Sequence, residues 1–597
     1  MKTNKVPARN EIPAKDKWDL TSLYMKDSEW EDDLSLIPIL ADELLNFKGK
    51  LAESADSLRN SLDTYCRLMM VMETTGSYAF LLTAGDGEDS SNQDKYGRFM
   101  MTASAAEAKI SFYIPEIQAI AEKTMKEWVD RPDFSDYKIF LTKLLRMKPY
   151  ILSEKEERLL SLEGESGTTA HKTFSTLTNV DLDFGSIRTK DGLKKLTQSS
   201  WSSFLQDEDR DIRKKAYTKF YKAFDAHKNT IATLYAGSVN HDIYEARARG
   251  YESARAMALY PDNVPESVYD NLVKTVRANL EPLHRYYAIR KELLGLKELR
   301  HYDVYVPLVK DIKKVTPYND AVEILRNALA PLGEDYTHTL CDGLLNGWAD
   351  RYENKGKRSG AFSAGGFIGY PYILLNYKED VLRDVFTMAH EGGHSMHSWY
   401  SVHSNPFMNY NYTIFEAEVA STFNEQLVFQ YFMNSTNDKK LKNYLIAERA
   451  GDILATLYRQ TMFAEFEHTA HTLVESGTPI TVEVLRNEYR KLLEAYFGPD
   501  VKFEKTSDLE GLRIPHFYSA YYVYKYATGI SASLALAERV TKGGEKERAD
   551  YFKFLRSGGS RYPIESLKVA GVDMTSTAPV QAAVNTFASL VKQMENF

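Results

Sequence analysis

The sequence predicts a mainly α-helical fold in two lobes, with a small β-sheet. Three observations predict it. Apolar residues recur at three- and four-residue spacing among charges along much of the chain, strand-like text is confined to two short stretches, and no linker or fixed-period repeat interrupts the 597 residues. Taken in order, the amino-terminal stretch MKTNKVPARNEIPAKDKWDL is polar and lacks the apolar core of a secretory signal. Ser153 and Glu156 form a capping-box pattern ahead of Leu159, Leu160 and Leu162, which predicts a helix start. Val180–Phe184 alternates apolar and acidic residues and predicts a strand. Helical periodicity fills 200–250, 265–296 and 437–475, and Ala361–Tyr377 is the second strand-like stretch. Polar text from Ser161 to Thr173 marks the seam, giving an amino-terminal helical lobe over 1–190 and the remainder over 191–597.

Composition excludes several classes. The chain has 75 basic and 83 acidic residues, a net charge of −8, and no Lys/Arg block, so neither nucleic acid nor an anionic membrane is an expected partner. No stretch approaches the ~18 consecutive apolar residues of a membrane span. Cys66 and Cys341 stand far apart and offer neither a disulfide framework nor a CxxC metal knuckle, which fits idle thiols in a reducing cytoplasm. The 39 tyrosines are an unusual surplus.

The chemistry is concentrated in MAHEGGHSMHSWYSVH. His390-Glu391-Gly392-Gly393-His394 is an HExxH pattern, and on a helix residues four apart share one side. Two imidazoles can then grip one metal ion while Glu391 reaches a water held there. Asp380 is placed to cap this helix, whose apolar face runs through Val381, Leu382, Val385, Phe386, Ala389 and Met396. Gly392 and Gly393 each cost about 1 kcal/mol relative to Ala inside a helix, which predicts a close neighbour there.

A third ligand is needed, since catalytic zinc usually takes three protein groups. In Thr413-Ile414-Phe415-Glu416-Ala417-Glu418, a capping box of Thr413 and Glu416 gives Glu416 a structural task. At ~100° per residue, Glu418 faces another way and shares a stripe with Glu425, two turns on. Glu418 is therefore the predicted third ligand and Glu425 an orienting carboxylate behind it. His397 shares the His390/His394 face but lies about 10.5 Å along the axis from His390, too far for a third imidazole on one ion. Its expected place is beside the site, as a hydrogen-bonding or substrate-side group, and His403 is expected at the surface.

These motifs resemble oligoendopeptidase F, of the thimet-oligopeptidase-like family of zinc metallopeptidases. The resemblance rests on AHEGGHSMHSWYS with FEAEVASTFNE, and extends to KWDLTSLY, KRSGAFSAGGFIGYPYILLNY and IPHFYSAYYVYKYATG. In that family a ligand glutamate follows the second histidine by about 24 residues, the spacing of Glu418 from His394. The resemblance implies two helical lobes around a deep substrate channel, with a small sheet beside the HExxH helix. It also favours Ala361–Tyr377, with Gly365, Gly366 and Phe367, as an edge that pairs with extended substrate rather than a packed loop. On the residues alone, His516 and the tyrosines after it read as aromatic core ahead of donors to an oxyanion. The resemblance favours donors, with Tyr524 and Tyr521 leading beside His516.

The expected activity is a zinc-dependent endopeptidase, one Zn²⁺ per chain, cutting internal bonds of short unfolded peptides. His390, His394 and Glu418 hold the ion, and Glu391 takes the proton of the zinc-bound water as it attacks. A zinc carboxypeptidase or dipeptidyl carboxypeptidase is the alternative within the class, and a non-catalytic peptide-binding protein the alternative outside it. The expected state is a cytoplasmic monomer or weak homo-oligomer.

Overall fold

The computed structural model describes residues 6–310, 312 and 314–597, so the first five residues of the polar amino-terminal stretch lie outside it. Helices dominate, and the chain forms two compact units, each drawn from three stretches. The first comprises Met1–Pro149, Lys313–Asn434 and Leu536–Val572. The second comprises Tyr150–Ile312, Ser435–Ala535 and Asp573–Phe597. This partition is of another kind from the expected lobes 1–190 and 191–597, because a linear reading carries no signal for interleaved stretches.

In the first unit, the helices Asp27–Leu45, Ala55–Gly85 and Ser90–Ile110 pack on one another. Their apolar stripes close over Trp30, Leu34, Ile37, Leu58 and Leu62. Ser54 and Asp89 cap the second and third by accepting from Ser57 N–H at 3.1 Å and Ser91 N–H at 2.8 Å.

A three-stranded sheet follows from the second stretch of this unit. Ala349–Asp350 runs parallel to Tyr372–Leu374, and Phe362–Ala364 pairs antiparallel with that central strand in the register Phe362 to Leu374. The central strand is buried throughout, whereas Phe362–Ala364 is half-buried at the edge. The amino-terminal segment is pinned to this sheet. Arg9 Nη1 donates to Asp350 Oδ1 at 2.8 Å, and Lys357 Nζ closes on the same buried carboxylate at 2.7 Å.

In the second unit, the 40-residue helix Arg210–Arg249 is the central spar. It ends at Gly250, whose φ of +82° lets Tyr251 N–H turn back to Ala246 O at 2.9 Å. The capping box of Ser153 and Glu156 opens the helix Glu154–Gly167 as expected. The strand expected at Val180–Phe184 does not form. Leu177–Asp181 is a π-helical turn, and the strand Ser186–Thr189 begins beyond it, paired with Gly192–Lys195. Leu182 and Phe184 are buried and Asp183 is exposed, so the alternation records an extended segment laid on the core without a partner strand.

Candidate metal centre

Two helices of the first unit build the site. His390, Glu391 and His394 project from Arg383–Val402, and Glu418 and Glu425 from Ile414–Ser435. Gly393 is where they meet. A Cβ there would stand 2.5 Å from Ala420 O and 2.6 Å from Ser421 Cα, so only glycine admits the neighbouring backbone. Gly392 has a softer neighbour, the Leu340 methyls at 3.1 and 3.2 Å. Asn424 Nδ2 adds a tether by donating to Ala389 O at 3.2 Å, and Tyr336 donates to Asn424 Oδ1 at 3.1 Å. Asp380 does not cap the first helix, which begins at Arg383 with no side-chain cap; Asp384 Oδ2 instead accepts from Lys378 N–H at 2.7 Å. Thr413 makes no capping bond either, its hydroxyl being buried without a hydrogen-bond partner among the described residues.

The crossing brings three donor atoms together. His390 Nε2 and His394 Nε2 are 3.2 Å apart, and Glu418 Oε2 lies 3.3 Å from the first and 3.5 Å from the second. Donors about 2.05 Å from a tetrahedral ion stand roughly 3.3 Å from one another, so this near-equilateral triangle fits a zinc-sized ion with the fourth position open. Two imidazoles and a carboxylate are also a donor set that zinc prefers. Glu425 Oε1 stands 2.5 Å from His390 Nδ1, which places the ring proton on Nδ1 and turns the Nε2 lone pair toward the other donors. Without an ion, burial opposes charge on His390, but Glu418 and Glu425 together raise it to about 10. Glu418 is half-buried, which raises its carboxyl, yet both imidazoles hold it well below the usual range. Glu391 is 7% exposed, and burial raises its carboxyl against the pull of His390 and His394. A raised carboxyl is the direction that suits a general base. Glu416, by contrast, is wholly buried, away from this triangle.

The profile of Peptidase family M3 matches residues 203–586, and that of Oligopeptidase F matches residues 116–184. The chain belongs to peptidase family M3. It is 42% identical to the oligopeptidase PepF of Bacillus subtilis, over 100% of this chain and 89% of that one. It is 40% identical to an oligoendopeptidase F homolog of Borreliella burgdorferi, over 98% and 99%. A crystal structure from Chlamydophila abortus superposes with a TM-score of 0.93 at 33% identity, covering 99% of this chain and 100% of that one.

Other predicted residues of this M3 chain fall as follows. His397 makes no hydrogen bond among the described residues, contrary to the bonding role expected for it. It is fully buried, stacked on Tyr412 at 3.7 Å with Phe554 at 4.9 Å, and burial lowers it to about 3, so it packs as a neutral ring. His403 is exposed against Trp399, as expected. The paired edge ends at Ala364, before Gly365, Gly366 and Phe367. Gly365 admits Ser398, whose Cβ would lie 2.5 Å from an added one, and Phe367 N–H donates to Glu73 Oε1 at 2.7 Å. These three residues therefore turn the chain, and Phe362–Ala364 presents the edge. Ser395 Oγ joins that edge to the motif helix, 2.8 Å from Ser363 Oγ and donating to Pro371 O at 3.0 Å.

In the second unit, His516 is exposed, with Tyr522 and Tyr526 about its ring at 6.1 and 6.0 Å. Tyr521 and Tyr524 are 2% and 1% exposed. Tyr521 has a φ of +54°, and its N–H donates to Glu467 Oε1 at 2.7 Å while its hydroxyl meets His468 Nδ1 at 3.2 Å. Glu467 and His468 were not singled out by sequence, because the periodicity of EFEHTAHT accounts for them as helix.

Proposed function

We propose that this M3 peptidase is a zinc-dependent endopeptidase that cuts internal bonds of short, unfolded oligopeptides in the cytoplasm. The triangle of His390 Nε2, His394 Nε2 and Glu418 Oε2 carries the reading. When bound, zinc supplies a Lewis acid and a water of lowered pKa. His390, His394 and Glu418 hold it, and Glu425 keeps the His390 proton on Nδ1. Glu391 accepts a proton from the attacking water at its carboxylate and returns it to the leaving nitrogen. The free edge of Phe362–Ala364 aligns extended substrate by main-chain pairing. His516, which is exposed, is assigned to the oxyanion on the family resemblance, whereas Tyr521 and Tyr524 are buried and are not. No described helix is long and apolar enough to cross a membrane.

The test is an internally quenched peptide blocked at both ends. Cleavage that a chelator abolishes and zinc restores is the expected result. Cleavage only of peptides with a free carboxy terminus would overturn the endopeptidase assignment.

A further inference from the structure

The second unit holds a cavity of about 560 Å³ whose wall includes His516 and whose arginines have no part in this mechanism. Three arginines line it, Arg290, Arg459 and Arg513, and among the described residues one shielded nitrogen of each has no hydrogen-bond partner: Arg290 Nε, Arg459 Nη1 and Arg513 Nε. Their counter-charge is short. Glu510 is wholly buried and shared, accepting from Arg459 Nη2 at 2.7 Å and from Arg513 Nη2 at 3.2 Å. Buried Arg290 donates to neutral oxygens, the Tyr286 hydroxyl at 3.2 Å, Asp303 O at 3.5 Å and Val306 O. Glu448 also faces the cavity. Among the described residues, with both carboxylates counted, the guanidiniums exceed them by one, and an uncompensated buried charge is costly unless an anion joins it.

The backbone supplies a second, independent observation. Gly451 lies inside the helix Lys439–Ile453 on the cavity wall, where a Cβ would meet no atom within 4 Å. A helical glycine costs about 1 kcal/mol relative to Ala, and here no crowding requires it, as backbone does at Gly393. The helix then widens into the π-turn Leu454–Tyr458, a distortion that tends to mark functional sites, and Arg459 follows directly. Space is thus kept open beside unsatisfied guanidinium groups.

We propose that this cavity binds an organic carboxylate carrying an aromatic or apolar group. The guanidinium N–H donors take the carboxylate, and Tyr287, Phe463 and Phe497 receive the apolar body. The carboxylate belongs either to the carboxy terminus of a peptide, a form that rests on the peptidase reading, or to a free small acid.

The experiment is calorimetric titration of the full-length Glu391→Gln protein with N-acetylphenylalanine and with its amide. The acid is expected to bind at least about tenfold more tightly than the amide. Gly451→Leu, which fills the cavity and favours the helix, is expected to abolish acid binding with no loss of melting temperature. Equal binding of acid and amide, or undiminished binding by a folded Gly451→Leu protein, would overturn the proposal. So would phosphate or chloride binding in place of the acid. A short peptide with a free carboxy terminus that displaces the acid, where its amide does not, identifies the peptide source. A peptide that leaves the acid bound identifies a free acid, and either result supports the pocket. Turnover is not read, so failure here leaves the peptidase reading to its own test.

Discussion

Replacing Gly393 with Ala is the sharpest perturbation of the metal centre, because it adds one methyl and removes no ligand. The added Cβ would sit 2.5 Å from Ala420 O and 2.6 Å from Ser421 Cα, both backbone, where ordinary contact begins at 3.4 Å. The two helices must part by about 0.9 Å to accept it, since no side chain there can rotate away. Overpacking of this kind costs about 1–3 kcal/mol, of which the helix preference of Ala over Gly returns up to about 1 kcal/mol. Net destabilisation is then modest. The consequence for the site is larger, because Glu418 rides on the displaced helix. Its distances to His390 Nε2 and His394 Nε2, now 3.3 and 3.5 Å, would open past what bonds of about 2 Å allow. Zinc affinity should fall by roughly 10–100-fold, the loss typical of a disturbed ligand support. Chelator competition measures it, with a melting curve on the same sample. Gly392→Ala is the control, since its neighbour is the flexible end of Leu340 at 3.1 Å. If Gly393→Ala holds zinc as tightly as the parent chain, the account of the helix crossing is wrong.

Further expectations follow from the same geometry. Glu391→Gln should keep stoichiometric zinc while kcat falls by about 10²–10⁴-fold, and retained turnover on a quenched peptide would remove Glu391 from the mechanism. Glu418→Ala should empty the site on elemental analysis, whereas Glu416→Ala, at a buried position, should lower melting temperature and leave zinc in place; equal zinc loss would refute the ligand assignment. Glu467 is raised by burial to about 8, so its neutral form is favoured in the fold. The stability this gives is complete below its unfolded value near 4.5 and is lost as pH rises through about 8. Glu467→Gln should therefore gain up to about 5 kcal/mol over the parent at pH 9 relative to pH 4.5 in denaturant melts, and parallel pH curves would exclude the effect.

The clustering of His390, His394 and Glu418 was legible because its information is local. His390 and His394 are one turn apart, Glu418 and Glu425 two turns apart, and helical pitch alone puts each pair on one face. The glycine pair also announced a close neighbour, although only the structure separates Gly393, which meets backbone, from Gly392, which meets a leucine. What failed depended on tertiary context. Asp380 has capping chemistry, but the helix begins beyond it at Arg383. His397, expected beside the site as a hydrogen-bonding or substrate-side group, is enclosed by Tyr412 and Phe554. Most tyrosines among the largest fully buried side chains serve the core, Tyr217, Tyr235, Tyr269 and Tyr489 among them. The surplus noted from composition is thus largely packing, which no count could distinguish from chemistry.

The bond from Arg9 to Asp350 spans 341 positions of chain, and it has a consequence in time. At roughly 5–20 residues per second of synthesis, Asp350 emerges about 20–70 s after Arg9. During that interval the amino-terminal segment has no carboxylate to dock on and the sheet does not exist. The first unit is finished only when its last stretch, ending at Val572, has left the ribosome. The three residues proposed to hold zinc can therefore meet only once the helix Ile414–Ser435 has emerged, late in synthesis.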